Sequence, residues 1–512
     1  MSLLSRFRMR APDLPQLPPD EPATTQRVVV KRGRQRYQAA TLGNLTASWT
    51  TTPLTSDQEV FRNWRTLVAR SREQYQNNEF ARKFISMCKN HIVGPKGFTM
   101  QARTKNRQGG LDARANTQIE SAWCDWGRVG NCDVTGKLSW IDIQNLLVAG
   151  MAIDGESLAR IHRGAAYGPY GIQLQILDPV LLDIEFNRDE RNGNFIRFGI
   201  EFNGFGRPVA YHLNTFLNTS ASDSGYAVAL KRDRVPADQI IHLFDAERAG
   251  QKRGIPWLAT SMFSMQMLNA FEEAAVINAR MGASKMGFYE NAHNEEFEGD
   301  DVDDDGAVVD EIEPGVMQQV GAGFKMHSFD TRFPDTQMGP FSKVIKQRMA
   351  SGALCSYNSM ANDLEGVNFS SMRHGALEER ENWMRWQEMV RGSGCDPIYR
   401  AWIAVQVELM RTVVHDGPVF PKFSDVLFQP RRWAWVDPKS ESVANANAVE
   451  MGSKTVSSII RESGGDPDEV FDERAEELKK MRDRGIPIKD PNAAKQVNEN
   501  EQDEPEDEDQ EG

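Results

Sequence analysis

Few residues of this chain are spaced for chemistry. Asp301, Asp303, Asp304 and Asp305, followed by Gly306, imitate the opening of a calcium-binding EF-hand loop. That loop closes its shell with a bidentate carboxylate at its twelfth position. Counted from Asp301 the position falls on Ile312, with Glu311 and Glu313 on either side, so the stretch reads as a solvated acidic loop. A phosphate-binding loop needs Gly-x-x-x-x-Gly-Lys followed by Ser or Thr, so that backbone amides cradle phosphates and a hydroxyl reaches magnesium. The nearest approach brings Gly136-Lys137 one residue late after Gly130 and puts Leu138 in the hydroxyl's place, which disfavours an ATP-driven motor. Cys124 and Cys132, with His91 upstream, lack the spacing of a zinc site, and each cysteine reads as a buried free thiol. His162, His212 and His242 fall in or beside candidate strands, where a satisfied structural histidine is expected. Asp154 and Glu156 flank Gly155, and paired carboxylates can serve as acid and base. With no partner nearby in sequence, they read as a turn with an exposed carboxylate. No catalytic constellation, metal site or cofactor is expected.

The elements that would position any site follow from periodicity. Phe61, Trp64, Leu67 and Val68 recur at helical spacing and predict a helix capped by Asp57. A second helix takes in Phe80, Phe84, Ile85 and Met87 and stops at Gly94-Pro95. Phe98 to Ala102 reads as a strand, and 113–126 and 140–152 as helices. Period-two patterns predict strands over Ser157–His162, Ile172–Leu177, Ile196–Phe202 and Val209–Leu213. Arg191-Asn192-Gly193-Asn194 reads as a hairpin turn, because Asn-Gly accepts the positive φ that a tight turn imposes. The result is an α+β domain with a substantial antiparallel sheet over 57–245. Pro256, suited to a first helical position, opens a helix with Leu258, Met262, Met265, Leu268 and Ala275 along one face. After an acidic insert, Val316 to Phe329 reads as strand and turn and Phe341 to Leu354 as a helix. Cys355 to Ser371 reads as irregular, and Ala376 to Val390 as a long charged helix carrying Trp383 and Trp386. Helix and strand are expected over 396–435 and short helices over 440–482.

Composition narrows the class. A chain of 512 residues with 40% apolar content has material for more than one core. No apolar run reaches the ~18 residues that cross a bilayer, and Met1 to Pro15 lacks the apolar stretch of a secretory signal. Five widely spaced cysteines point to free thiols in a protein made in a reducing cytoplasm. The net charge of -13 is local: residues 499–512 hold nine acids and no base, and Glu295 to Glu313 hold eleven acids and no base. Residues 1–40 carry eight bases against three acids. The body is close to neutral, whereas a protein that grips DNA presents a basic face.

Two apolar helical blocks, Gly250 to Lys285 and Phe341 to Gly375, flank the acidic insert. Earlier landmarks are Arg70-Ser71-Arg72, Asn77-Asn78, Val93-Gly94, Trp123 with Trp126, Asp154-Gly155-Glu156 and Leu177-Asp178-Pro179. Gly199-Ile200-Glu201 and Gly206-Arg207-Pro208-Val209-Ala210-Tyr211-His212 follow, then Gln251-Lys252-Arg253-Gly254-Ile255-Pro256-Trp257. Last come Asp363, Asn368, Ser370, Ser371 and Arg373, and then Trp433, Trp435 and Val436-Asp437-Pro438. In order and wording these resemble the lambda-type family of tailed-phage portal proteins over 45–480, with Phe369 where the family's motif has tyrosine.

The resemblance implies a portal-protein fold. Its parts are an N-terminal arm (1–55), an α/β wing (56–255), a first stem helix (256–285) and a small α/β clip with the acidic insert (286–340). A second stem helix (341–354), a tunnel loop (355–370), a wing return with a long helix (371–439) and a helical crown (440–485) complete it; the acidic insert and an acidic tail (486–512), read as disordered from its composition, are not part of the resemblance. It implies a non-enzymatic ring of about twelve copies at one capsid vertex, made in the host bacterial cytoplasm. The ring would nucleate head assembly, admit DNA during packaging, join head to tail and serve as the ejection conduit. Implied partners are further copies of itself, the terminase large subunit, major capsid and scaffold proteins, and head-completion or tail adaptors. Duplex DNA would pass through without sequence specificity, and no membrane is involved. Arg280, Lys285, Lys343, Lys346 and Arg348 become candidates for narrow basic belts in the channel. Asn358, Asp363 and Asn368 are candidates for its polar constriction, and Asp301, Asp303, Asp304 and Asp305 for motor or adaptor docking. A nucleic-acid-processing enzyme of the packaging machinery is the alternative, disfavoured by the missing phosphate loop and metal cluster. A head–tail adaptor or minor capsid protein fits the length and the helix–insert–helix order poorly.

Overall fold

A computed structural model describes residues 47–106, 108–191, 193–216, 229–283, 287–291, 324–328, 338–366, 368–409, 420–433 and 438–487. The chain divides into two units, Met1–Leu54 and Thr55–Gly512. The first is described only over 47–54, as turns and extended chain. The expected arm before residue 47, the acidic insert, the segment 316–323 and the tail beyond Pro487 lie outside the described residues.

In the second unit, α1 (Ser56–Asn77) is opened by Thr55, whose side chain accepts from the Gln58 amide while Gln58 reaches back. This reciprocal cap displaces the expected Asp57, which instead pairs with Lys252. Helix α2 (Glu79–Cys88) passes into a π-turn that ends at Gly94, φ +72°. Strand β1 (Thr99–Ala102), α3 (Ala113–Trp126) and α4 (Trp140–Asp154) follow, and Gly155 in the left-handed conformation stops α4. Next come β2 (Glu156–Arg163), β3 (Ile172–Leu177), β4 (Arg188–Asp189), β5 (Phe195–Arg197), β6 (Ile200–Phe202), β7 (Pro208–Phe216), β8 (Ala229–Pro236) and β9 (Ile240–Phe244). Then α5 (Met262–Ala283), β10 (Gly287–Asn291), β11 (Phe324–Ser328), α6 (Met338–Gly352), α7 (Tyr357–Ala361) and α8 (Phe369–Val390) run in order. The chain closes with α9 (Asp396–Glu408), α10 (Phe420–Phe423), β12 (Val426–Gln429), α11 (Pro438–Glu450), α12 (Val456–Glu462) and α13 (Pro467–Asp483).

The fold is mixed α+β with antiparallel pairing throughout the described strands. One sheet has the order β3-β2-β9, a second is the meander β4-β5-β6-β7-β8, and β1-β12 and β10-β11 are two-stranded. Apolar side chains of both larger sheets, among them Leu158, Ile200, Tyr211 and Val235, close one core. The main core gathers α2, α3, α4, α8 and α9 around aromatic rings. Trp123 lies 4.7 Å from Trp126, 5.3 Å from Trp402 and 5.8 Å from Phe428 between ring centroids.

Several boundaries differ from the sequence expectation for identifiable reasons. Ile196–Phe202 is not one strand, because Phe198 (φ 56°) and Gly199 (φ 79°) make a two-residue reversal between β5 and β6. A phenylalanine in that region costs about 1 kcal/mol. It is held because its amide donates to Asn187 Oδ1 at 3.0 Å and its ring is buried beside Val60 and Trp64 of α1. Pro256 starts a run of turns rather than a helix, and α5 begins at Met262. The stretch expected to be irregular contains α7, and α8 starts at Phe369 rather than Ala376. Cys132 is buried as expected, but Cys124 is exposed.

Candidate functional site

The helix pair α5–α6 and the segment after it hold most of the candidate channel residues. Leu258, Met262, Met265 and Leu268 are buried in the main core and anchor the first half of α5. Trp257 stacks on Trp386 of α8 with ring centroids 4.3 Å apart. Ser261 Oγ donates to the Met349 carbonyl at 2.8 Å and Thr260 Oγ1 to the Gly352 carbonyl at 2.9 Å, tying the start of α5 to the end of α6. An added Cβ on Gly352 would sit 2.5 Å from Ser261 Oγ and displace it from the Met349 carbonyl. Farther out, Phe271 and Phe341 meet edge to face at 5.2 Å. The other side of α5 is uncovered: Phe263 is 74% and Ile277 50% exposed, and Met267 and Val276 are exposed with them.

Two of the three candidate cations on α6 are paired. Lys343 Nζ lies 3.4 Å from Asp363 and 5.5 Å from the Tyr357 ring centroid. Lys346 Nζ lies 3.3 Å from Glu272 on α5 and 5.4 Å from the Phe80 ring. Arg348 is exposed, with no ion pair to any of the described residues. Arg280 is exposed near the end of α5, while Lys285 and Asp301, Asp303, Asp304 and Asp305 lie outside the described residues.

After α6 the chain is more ordered than its sequence suggested. The Tyr357 hydroxyl donates to Asp363 at 2.6 Å. That bond, then the Glu365 amide and the Lys343 charge, hold the Asp363 carboxyl below the usual carboxylate range. Burial first, and the adjoining carboxylate second, push the Tyr357 hydroxyl up to about 12. Asn358 is half-buried at the rim of a cavity of 340 Å³ that also touches Lys83 and His91. Burial and the nearby Arg431 charge lower the His91 imidazole. Asn368 caps α8 by accepting the Ser371 amide at 2.8 Å, so its side chain has a local structural task.

The sequence reading missed a buried charge junction where the chain leaves the sheets for α5. Arg253 and Glu156 are both fully buried. Arg253 Nε donates to Glu156 at 2.7 Å, and its terminal nitrogens donate to the carbonyls of Leu182, Phe198 and Pro179 at 3.2 Å. His242 Nε2 is 3.0 Å from the same carboxylate, and the Gly254 amide donates to it at 3.0 Å. Burial would raise Glu156, but the Arg253 charge and the His242 contact overcome it and hold the carboxyl at about 2. Asp154 is likewise no exposed turn residue: Arg72 Nε donates to it at 2.7 Å and Arg72 Nη2 bridges to Asp178 at 2.7 Å. Burial nevertheless raises the Asp154 carboxyl. The backbones cross at contact here. A Cβ on Gly155 would lie 2.3 Å from the Ile255 carbonyl carbon, and one on Gly254 1.9 Å from the Gly155 oxygen. Each carboxylate in this junction is paired with an arginine, so the arrangement fixes geometry. Among the described residues no group of His, Cys, Asp and Glu converges to hold a metal ion.

Comparison with known proteins agrees with a structural role. Residues 42–387 match the family model described as phage portal protein, lambda family. The chain is 31% identical over 479 residues to the probable portal protein of Halomonas phage phiHAP-1, covering 92% of this chain and 90% of that one. It is 22% identical over 500 residues to Portal protein B of Escherichia phage lambda, covering 87% and 89%. A chain from the neck of an empty GTA particle is similar at a TM-score of 0.43 and 11% identity, over 82% of this chain and 98% of that one. By the extent of the family match and the identity to the Halomonas phage protein, the chain belongs to the lambda family of phage portal proteins, structural and non-enzymatic components of the bacteriophage virion.

Proposed function

We propose that copies of this chain close into a ring of about twelve around a DNA channel at one capsid vertex, as a heterologous interface that closes must do. The ring docks the terminase large subunit during packaging, nucleates the head with the major capsid and scaffold proteins, then joins head-completion and tail adaptors and conducts DNA out. In this reading the α/β region to residue 255 is the wing, α5 and α6 are the stem, the residues between them are the clip, 355–370 is the tunnel loop and α11–α13 are the crown. The observation that carries it, beside the family, is the uncovered side of α5. Phe263, Met267, Ala270, Ala274 and Ile277 recur at helical spacing and are all exposed in a single chain. A contiguous apolar stripe of this kind marks a surface for contact with a neighbour.

The ion pairs of Lys343 and Lys346 move the burden of a basic belt. With those two neutralised by Asp363 and Glu272, Arg348 is the α6 cation open to phosphate, and Arg280 is exposed near the end of α5. A sparse belt suits a conduit, since each neutralised phosphate adds affinity and would brake sliding. Electron microscopy of the purified protein is the test: rings with a central hole are expected, and single chains at every salt concentration would overturn the reading. With rings in hand, Asp303, Asp304 and Asp305 changed together to Asn should weaken terminase binding without affecting the ring. Unchanged binding would reduce the insert to a solvated loop.

A further inference from the structure

The C-terminal helices have strong local signals and no core. Thr455 and Ser458 form a reciprocal cap on α12, and Asp466 with Pro467 opens α13. Yet Pro467 is the only buried residue described between 438 and 487. Helices of 13 and 7 residues are marginal in water without packing, and the exposed pairs Arg474–Glu477 and Lys480–Glu476 add little. The attachment to the body is mainly polar: Gln429 Nε2 donates to the Arg461 carbonyl at 3.0 Å and the Gly465 carbonyl at 3.3 Å, Arg373 lies 3.9 Å from Glu441, and the start of α13 borders an open cleft beside β1 and α3.

Two features of α13 say what covers it. Val470, Phe471, Leu478 and Met481 share one face, and a groove of 500 Å³ runs beside it, lined by Val470, Arg474, Glu477, Met481, Arg484 and Ile486. Charge is also ordered along the helix. Residues 467–477 hold six acids and one arginine, whereas 478–484 hold four bases and one acid. The acid-rich half repels phosphate, so duplex DNA is not the occupant. A second copy of the same helix, shifted head to tail, matches both the charge order and the apolar face.

We propose that the α13 groove is filled by the C-terminal helices of a second copy of this chain, the acid-rich half of one lying against the basic end of the next. This rests on the ring reading above and adds that α11–α13 are completed only by assembly. Acids first and bases last also suit the dipole of a lone helix, so the test must separate the two. One variant carries Glu473→Lys, Glu476→Lys and Glu477→Lys, and another carries Lys480→Glu with Arg484→Glu, all at positions that line the groove. Each alone places like charges across the contact, and the concentration for half-assembly at low salt should rise at least tenfold. An equimolar mixture restores opposite charges at every contact of an alternating ring, and native mass spectrometry should find such rings at wild-type concentration. A helix-dipole effect predicts no rescue on mixing. Variants that assemble like wild type, or a mixture no better than its components, would overturn the proposal while wild-type rings leave the ring reading standing. Absence of wild-type rings would remove both.

Discussion

At the crossing of Gly254 over Gly155 and along α13, the same chemistry of opposite charges is put to different ends. The junction encloses its ions: Arg253 and Glu156 are shut away from water, and every donor of the guanidinium has an acceptor within the chain. Helix α13 leaves its ions in solvent, pairs them weakly along its own surface and buries almost nothing. A buried pair is costly to break because the survivor is left charged in a poor solvent, so it specifies one geometry of a single chain. Exposed charges are cheap to rearrange and are screened by salt, which suits a contact that forms on assembly. One region therefore sets the direction in which α5 leaves the sheets, and the other waits for a neighbour.

That contrast can be broken most forcefully at the junction. Arg253→Met leaves Glu156 buried without its main partner and should cost about 3–5 kcal/mol in chemical unfolding followed by tryptophan fluorescence. Adding Glu156→Gln to the same chain should recover part of the loss, since no unpaired charge then remains. Wild-type stability in the single variant would show that the junction is no more demanding than the surface.

Acid gives the next largest effect. The Glu156 carboxyl is lowered from an ordinary 4.5 to about 2 in the fold. Its contribution, on the order of 3 kcal/mol, is present above pH 4.5 and is lost as pH falls from 4.5 towards 2. Glu201, held at about 2 chiefly by Arg234, titrates over the same window. Glu156→Gln should therefore flatten, without abolishing, the loss of stability between pH 4.5 and 2. An acid profile that parallels wild type would contradict the assigned cause.

The smallest effect on the single chain is expected on α5. Ile277, half exposed, makes so little contact within the chain that Ile277→Asp should change its stability by no more than about 0.5 kcal/mol. The same change should sharply reduce the ring fraction seen by sedimentation. Loss of single-chain stability with rings intact would place Ile277 in the body rather than in the contact between copies.

Much of this architecture was legible in the sequence. Helix α3 was expected over the residues it occupies, β3 likewise, and β4 and β5 pair antiparallel on either side of the expected turn, because helix and strand periods and turn chemistry act over a few residues. The ordered landmarks carried the family. What the sequence could not show depends on groups far apart along the chain. Glu156 and Arg253 are 97 positions apart, and neither residue's type foretells total burial until the two sheets and the lead-in to α5 converge. Phe198 adopts a backbone that its own chemistry disfavours because α1 covers its ring. Lys343 was a candidate for a basic belt, and only the fold brings Asp363 within 3.4 Å of it. Short-range preference decided which elements form, and tertiary packing decided which charges are enclosed, which are paired and which face outward, because desolvation and Coulomb energy depend on three-dimensional neighbours.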